Sequence, residues 1–82
     1  MMNIVEYAEF LVKSICKEPD LVKVSSYTGE EDMTILDILI PESAMGSVIG
    51  RSGRNASALR TLIQAYAYVN KTGKVKINID AF

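Results

Sequence analysis

The sequence predicts a small α+β domain with the element order helix, strand, strand, short helix, helix, strand. Apolar residues recur at spacings of three and four in two stretches, residues 4–16 and 56–69, the signature of amphipathic helices. Three runs rich in β-branched residues, 21–27, 33–40 and 74–80, read as strands, and the last alternates strictly. A glycine-framed basic turn, Val48-Ile49-Gly50-Arg51-Ser52-Gly53-Arg54-Asn55, links two helical runs and is the candidate functional site. With 82 residues and 49% apolar content the chain makes one domain, residues 1–82, which buries only about 60–65% of its unfolded surface.

The first helix opens on Asn3 with Glu6 three residues later, capping-box logic with Asn in place of Ser or Thr. Ile4, Ala8, Leu11 and Ile15 form its apolar stripe, widened by Val5, Val12 and Cys16. It should stop near Lys17 or Glu18, because Pro19 disfavours a helical conformation in the residue before it. Leu21–Tyr27 and Met33–Ile40 then form a hairpin about the polar stretch Thr28-Gly29-Glu30-Glu31-Asp32. In the second strand Leu36, Ile38 and Ile40 face the core, while Ile35, Asp37 and Leu39 share the other side. The carboxylates at the hairpin tip read as a solvated turn, not a metal site, since nothing nearby supplies further oxygen ligands.

Pro41 ends the strand, and Ser43 is a candidate cap for a short helix from Ala44 to Ile49 that Gly50 terminates. A longer helix runs from about Arg54 to Asn70, with Ala56, Leu59, Ile63 and Tyr66 on its apolar side, Leu62 and Val69 beside them, and Arg60 on another face. Tyr66 and Tyr68 suit core or interface packing better than base stacking, being more than three turns from the glycines. Lys71-Thr72-Gly73 closes the helix with a cation and a glycine. The last strand, Lys74–Asp80, turns Val75, Ile77 and Ile79 inward.

Composition excludes several classes of function. No apolar run approaches the roughly 20 residues of a spanning helix, and the acidic start Met1-Met2-Asn3-Ile4-Val5-Glu6 is unlike a signal peptide, so a soluble, uncleaved chain is expected. The single Cys16 argues against a disulfide scaffold and fits a reducing cytoplasm; on the helix stripe it reads as a small buried hydrophobe. Without histidine, and with no paired carboxylates on an obvious element, neither an enzyme, a metal site nor a cofactor is expected. The G-x-x-x-x-G-K-[ST] pattern of a nucleotide-binding loop is absent.

Charge is unevenly spread. The net charge is −1 and the pI near 5.3, yet residues 1–42 hold three basic against nine acidic side chains, and residues 43–82 hold six basic against Asp80 alone. Such a molecule can turn a basic face to an anion while its acidic face stays in water. The glycine turn lies in the basic part. Its G-x-x-G spacing alone is weak, since about 0.4 such pairs are expected by chance in a chain of this length. Its setting adds weight: a tight link between helices exposes N–H groups, bare glycine backbone admits a phosphate chain, and Arg51 and Arg54 add charge.

With Val48-Ile49-Gly50-Arg51-Ser52-Gly53-Arg54 continuing through Ala58-Leu59-Arg60-Thr61-Leu62, the chain resembles a KH domain of the type II arrangement (αββααβ) over essentially its whole length. It is most similar to the small free-standing bacterial KH-domain proteins of the KhpA type. The resemblance implies a three-stranded sheet with three helices packed on one face, and single-stranded RNA held in a groove of about four nucleotides beside the glycine turn. It implies a cytoplasmic RNA chaperone or post-transcriptional regulator that forms a homodimer, or a heterodimer with a larger KH protein of the KhpB (Jag) type. Carried onto this sequence, Gly50 and Gly53 become the backbone clamp, Arg51 and Ser52 the variable positions facing phosphates, and Arg54 an adjoining phosphate contact. Ile49 packs beneath the turn, and Lys76, with Lys74, borders the groove. The alternative is a protein-interaction or scaffolding module with a vestigial groove. For a dimer, the apolar surface on offer is Tyr66, Tyr68, Val69 and Phe82.

Overall fold

The computed structural model describes residues 2–82. The first helix, α1 (Ile4–Ile15), starts with the expected reciprocal cap: Glu6 N–H donates to Asn3 Oδ1 at 2.9 Å, and Asn3 N–H donates to Glu6 Oε1 at 2.9 Å. It ends earlier than Lys17, because Cys16 is already extended (φ −92, ψ 135) and its thiol is buried as the chain bends toward the sheet. The buried line of α1 therefore runs through Ala8, Val12 and Cys16, and Ile15, expected on the inner stripe, sits at its exposed rim.

A 3₁₀ turn, Pro19–Leu21, takes up Leu21, so that β1 spans Lys23–Thr28 and starts later than the sequence suggested. The hairpin turn Glu30–Asp32 leads into β2 (Thr34–Ile40). Its left-handed residues are Glu31 (φ 56) and Asp32 (φ 61) rather than the glycine. Gly29 itself is extended (φ −94), and a Cβ there would meet at 2.6 Å only the terminal methyl of Ile35, which that side chain can turn away.

After β2 come α2 (Met45–Ile49), α3 (Arg54–Val69) and β3 (Val75–Ala81). Ser43 does not cap α2. It lies within a separate 3₁₀ turn, Glu42–Ala44, and its hydroxyl donates to Glu18 Oε1 at 2.8 Å, tying that turn to the link that follows α1. At the far end of α3, Lys71 N–H donates to Tyr68 O and Thr72 N–H to Ala67 O, a Schellman closure. Its left-handed residue is Lys71 (φ 56), two positions before the glycine expected to close the helix.

The sheet has the order β1-β2-β3, with β1 antiparallel and β3 parallel to the central β2. Leu36, Ile38 and Ile40 of β2 are fully buried as expected, and they share one core with Ala8 and Val12 of α1, Val48 of α2, Leu59 and Ile63 of α3 and Ile77 of β3. The three helices thus cover one face of the three-stranded sheet, the α+β arrangement expected of the sequence. The register puts Tyr27, Ile35 and Lys76 in one row of the opposite face, and Ser25, Asp37 and Asn78 in the next, where Asn78 Nδ2 donates to Asp37 Oδ1 at 3.1 Å.

Candidate nucleic-acid interface

The glycine turn is built from two short devices. Gly50 N–H closes α2 on Gly46 O at 3.0 Å, after which Gly50 takes φ 78, ψ 171, a backbone region open in practice to glycine alone. Close packing enforces the same choice, since a Cβ on Gly50 would lie 2.7 Å from Asn55 Cγ and 2.9 Å from the Asn55 backbone N. Arg51–Gly53 then form a 3₁₀ turn in which Ser52 (φ 55, ψ 28) and Gly53 (φ 74, ψ 14) are both left-handed. Around Gly53 there is open space, so its backbone angle, not crowding, favours glycine.

Two of the N–H groups that lead into α3 are used within the turn. Gly53 N–H donates to Gly50 O at 3.1 Å and Arg54 N–H donates to Arg51 O, so the free donors at the helix start are fewer than the sequence suggested. The N–H groups of Arg51 and Ser52 take no part in these bonds. Arg51, Ser52 and Arg54 are exposed, and the only ion pair among the described residues joins Lys13 to Glu9, so both guanidiniums are without a carboxylate. Beneath the turn the fully buried side chain is Val48; Ile49 is half-buried.

Ile49, Gly50, Arg51, Ser52, Gly53 and Arg54 are therefore gathered at one place, whereas Lys76 stands elsewhere. It lies on the helix-free face of the sheet, in a depression shared with Glu30, Glu31, Met33 and Ile35 beside the acidic hairpin turn. Lys74 differs: it lines a shallow groove between α3 and the start of β3, together with Gln64, Ala67, Tyr68, Lys71 and Gly73. Arg60 lies one turn before Gln64 on the same flank of α3, between the glycine turn and this groove. The sequence pattern places Arg60 off the apolar side of α3. Its four-residue spacing from Gln64 was the available signal, but only the position of β3 shows which flank borders a groove.

The family model of the KhpA/KhpB KH domain matches residues 5–80. The chain belongs to the KhpA/KhpB family of KH domains. It is 45% identical over 65 residues to the RNA-binding protein KhpA of Borreliella burgdorferi, covering 79% of this chain and 78% of that one. It is 42% identical to the RNA-binding protein KhpA of Clostridium acetobutylicum, over 87% of this chain and 92% of the relative. The RNA-binding protein KhpA of Clostridium perfringens is 38% identical, over 90% and 96%. Among solved structures, Era in complex with MgGDPNP and a segment of 16S ribosomal RNA aligns with a TM-score of 0.64 at 15% identity, over 95% of this chain and 29% of that one. A variant of Aquifex aeolicus Era bound to GDP.AlF4- aligns with a TM-score of 0.65 at 14% identity, over 96% and 30%. This KH domain thus spans less than a third of the Era chains, and the likeness speaks for the fold alone. No helix among the described residues is long and apolar enough to cross a membrane.

Proposed function

We propose that this KhpA/KhpB-family domain binds single-stranded RNA, with the phosphate chain held at the Gly50–Gly53 turn. The strand then follows the flank of α3 past Arg60 and Gln64 toward Lys71 and Lys74. The observation that carries the reading is the turn itself: exposed Arg51 and Ser52 between two positive-φ glycines, their N–H groups outside the turn's own hydrogen bonds. Such a turn lets a polyanion approach bare backbone while unpaired guanidiniums supply charge. The path from Arg54 to Gln64 is about 15 Å along the helix, in keeping with a site for about four nucleotides. Relatives that carry the name RNA-binding protein support the ligand class. The role is binding rather than catalysis, that of a cytoplasmic RNA chaperone or post-transcriptional regulator.

One small groove discriminates poorly, and pairing two makes the second binding event intramolecular. A homodimer, or a heterodimer with a larger KhpB-type KH protein, is accordingly part of the proposal. Apolar surface for it exists where α1 and α3 run side by side: Ile15 and Leu62, 36% and 46% exposed, line a groove with Leu11, Ala58 and Leu59, and Phe10 of α1 is exposed as well. Tyr66 no longer belongs to that surface, because it packs within the domain. Phe82 lies at the far end of β3 from Tyr68 and Val69, about 20 Å of strand away.

The test is filter binding of labelled single-stranded RNA to the Arg51→Asp/Ser52→Asp double variant. Charge reversal at the turn should abolish binding while stability changes by no more than about 1 kcal/mol, since carboxylates near a helix N-terminus are tolerated. Lys76→Glu serves as the control that keeps affinity. Unaltered binding by the folded double variant would remove the turn from the contact.

A further inference from the structure

The Asn55 side chain does two things at once. Its Nδ2 donates to Ser47 O at 2.7 Å, taking up a carbonyl in the last turn of α2 that would otherwise lack a partner. Its Cγ, together with the residue's own backbone N, also forms the wall against which Gly50 is packed, at 2.7 and 2.9 Å from where a Cβ would lie. α2 is only five residues long, too short to hold its own end in place. We propose that Asn55 is a positioning residue for RNA binding. It clamps the end of α2 to the start of α3, and so fixes the angle at which the Arg51 and Ser52 N–H groups and side chains meet the phosphate chain.

The inference rests on the RNA reading of the glycine turn but assigns a role to Asn55, the last residue of that stretch, which is not among the proposed RNA contacts. Its physical basis is that the turn has few restraints of its own. Two short-range hydrogen bonds, from Gly53 and Arg54, hold the backbone within the turn, whereas the Asn55 amide reaches across it from one helix to the other. Losing that bond frees the hinge between α2 and α3 while the α3 core residues Leu59 and Ile63, one and two turns further on, stay packed. A receptor that must be ordered on binding gives up affinity, and one hydrogen bond of ordinary strength corresponds to about three- to tenfold in the dissociation constant.

The experiment compares wild type, Asn55→Leu, Asn55→Ser and the Arg51→Asp/Ser52→Asp variant in RNA binding, thermal unfolding and amide hydrogen exchange. Leucine keeps the size and a good helix former but cannot donate; serine is too short to reach. Both Asn55 variants should bind about three- to tenfold more weakly, with exchange of the Gly53 and Arg54 N–H groups accelerated and that of the α3 core amides unchanged. Should leucine fail to fold, the serine variant and its exchange pattern decide. Wild-type affinity and exchange in the Asn55 variants, with binding lost in the double variant, would overturn the positioning role and leave the turn contact standing. Wild-type affinity in all variants would overturn both. Uniformly faster exchange across α3 would mark Asn55 as a general stability residue and overturn the proposal equally.

Discussion

Tyr7 of α1 and Tyr66 of α3 stack face to face, ring centroids 4.1 Å apart and planes inclined by 9°. The Tyr66 hydroxyl donates to the carbonyl of Met2, so both ring and hydroxyl are used inside the domain. The pair joins the start of α1 to the end of α3, while at their other ends Leu11 and Ile15 line a groove with Ala58 and Leu62. The two helices therefore run antiparallel. Tyr66→Ala should destabilise the domain by about 1–3 kcal/mol, below the value for a fully buried aromatic because the ring is only half-buried. Tyr68→Ala, at a side chain 84% exposed, should stay within about 0.5 kcal/mol. Urea unfolding of the two variants checks this; equal losses would contradict it.

The two glycines of the turn should respond differently to substitution. Gly50→Ala meets both a forbidden backbone region and the Asn55 backbone, so a loss of about 2–4 kcal/mol is expected. Gly53→Asn meets only the left-handed angle, which asparagine tolerates, and should cost less than about 1 kcal/mol. Thermal unfolding at one buffer composition ranks them.

Closure of α3 on Lys71 carries avoidable strain. Lys71→Gly at φ 56 should stabilise the domain by about 0.5–1 kcal/mol, read as a raised urea midpoint at unchanged slope. If Lys71 also meets RNA in the groove with Lys74, the same variant should bind RNA more weakly despite its greater stability. The two readouts then move in opposite directions.

The apolar flank of α1 and α3 should govern self-association. Leu62→Lys combined with Ile15→Lys places charge on both walls of the groove and should shift sedimentation equilibrium toward monomer at micromolar to hundred-micromolar protein, while Phe82→Lys should not. A wild-type chain that is monomeric throughout, and that copurifies with no second KH protein, would remove the dimer from the proposal.

Local chemistry by itself determined much of this protein. The Asn3–Glu6 cap, the inward Leu36-Ile38-Ile40 line, the extent of α3 and the glycine turn at residues 50–53 depend on neighbours one to four positions apart, so their patterns were legible in the chain. Tertiary structure decided what sequence neighbours cannot encode. Alternation along β3 already turned Lys76 away from the inward Val75 and Ile77, but that it pairs in parallel with Ile35 of β2, beside the acidic hairpin turn, and that Lys74 meets Gln64 in a groove, depends on the α2–α3 crossover. Tyr66 left the candidate interface because α1 brought Tyr7 to it from 59 positions away. Asn55 became the brace of the turn because folding α2 back on α3 puts the Ser47 carbonyl within 2.7 Å of its amide, a distance set by the angle between two helices and by no pattern along the chain.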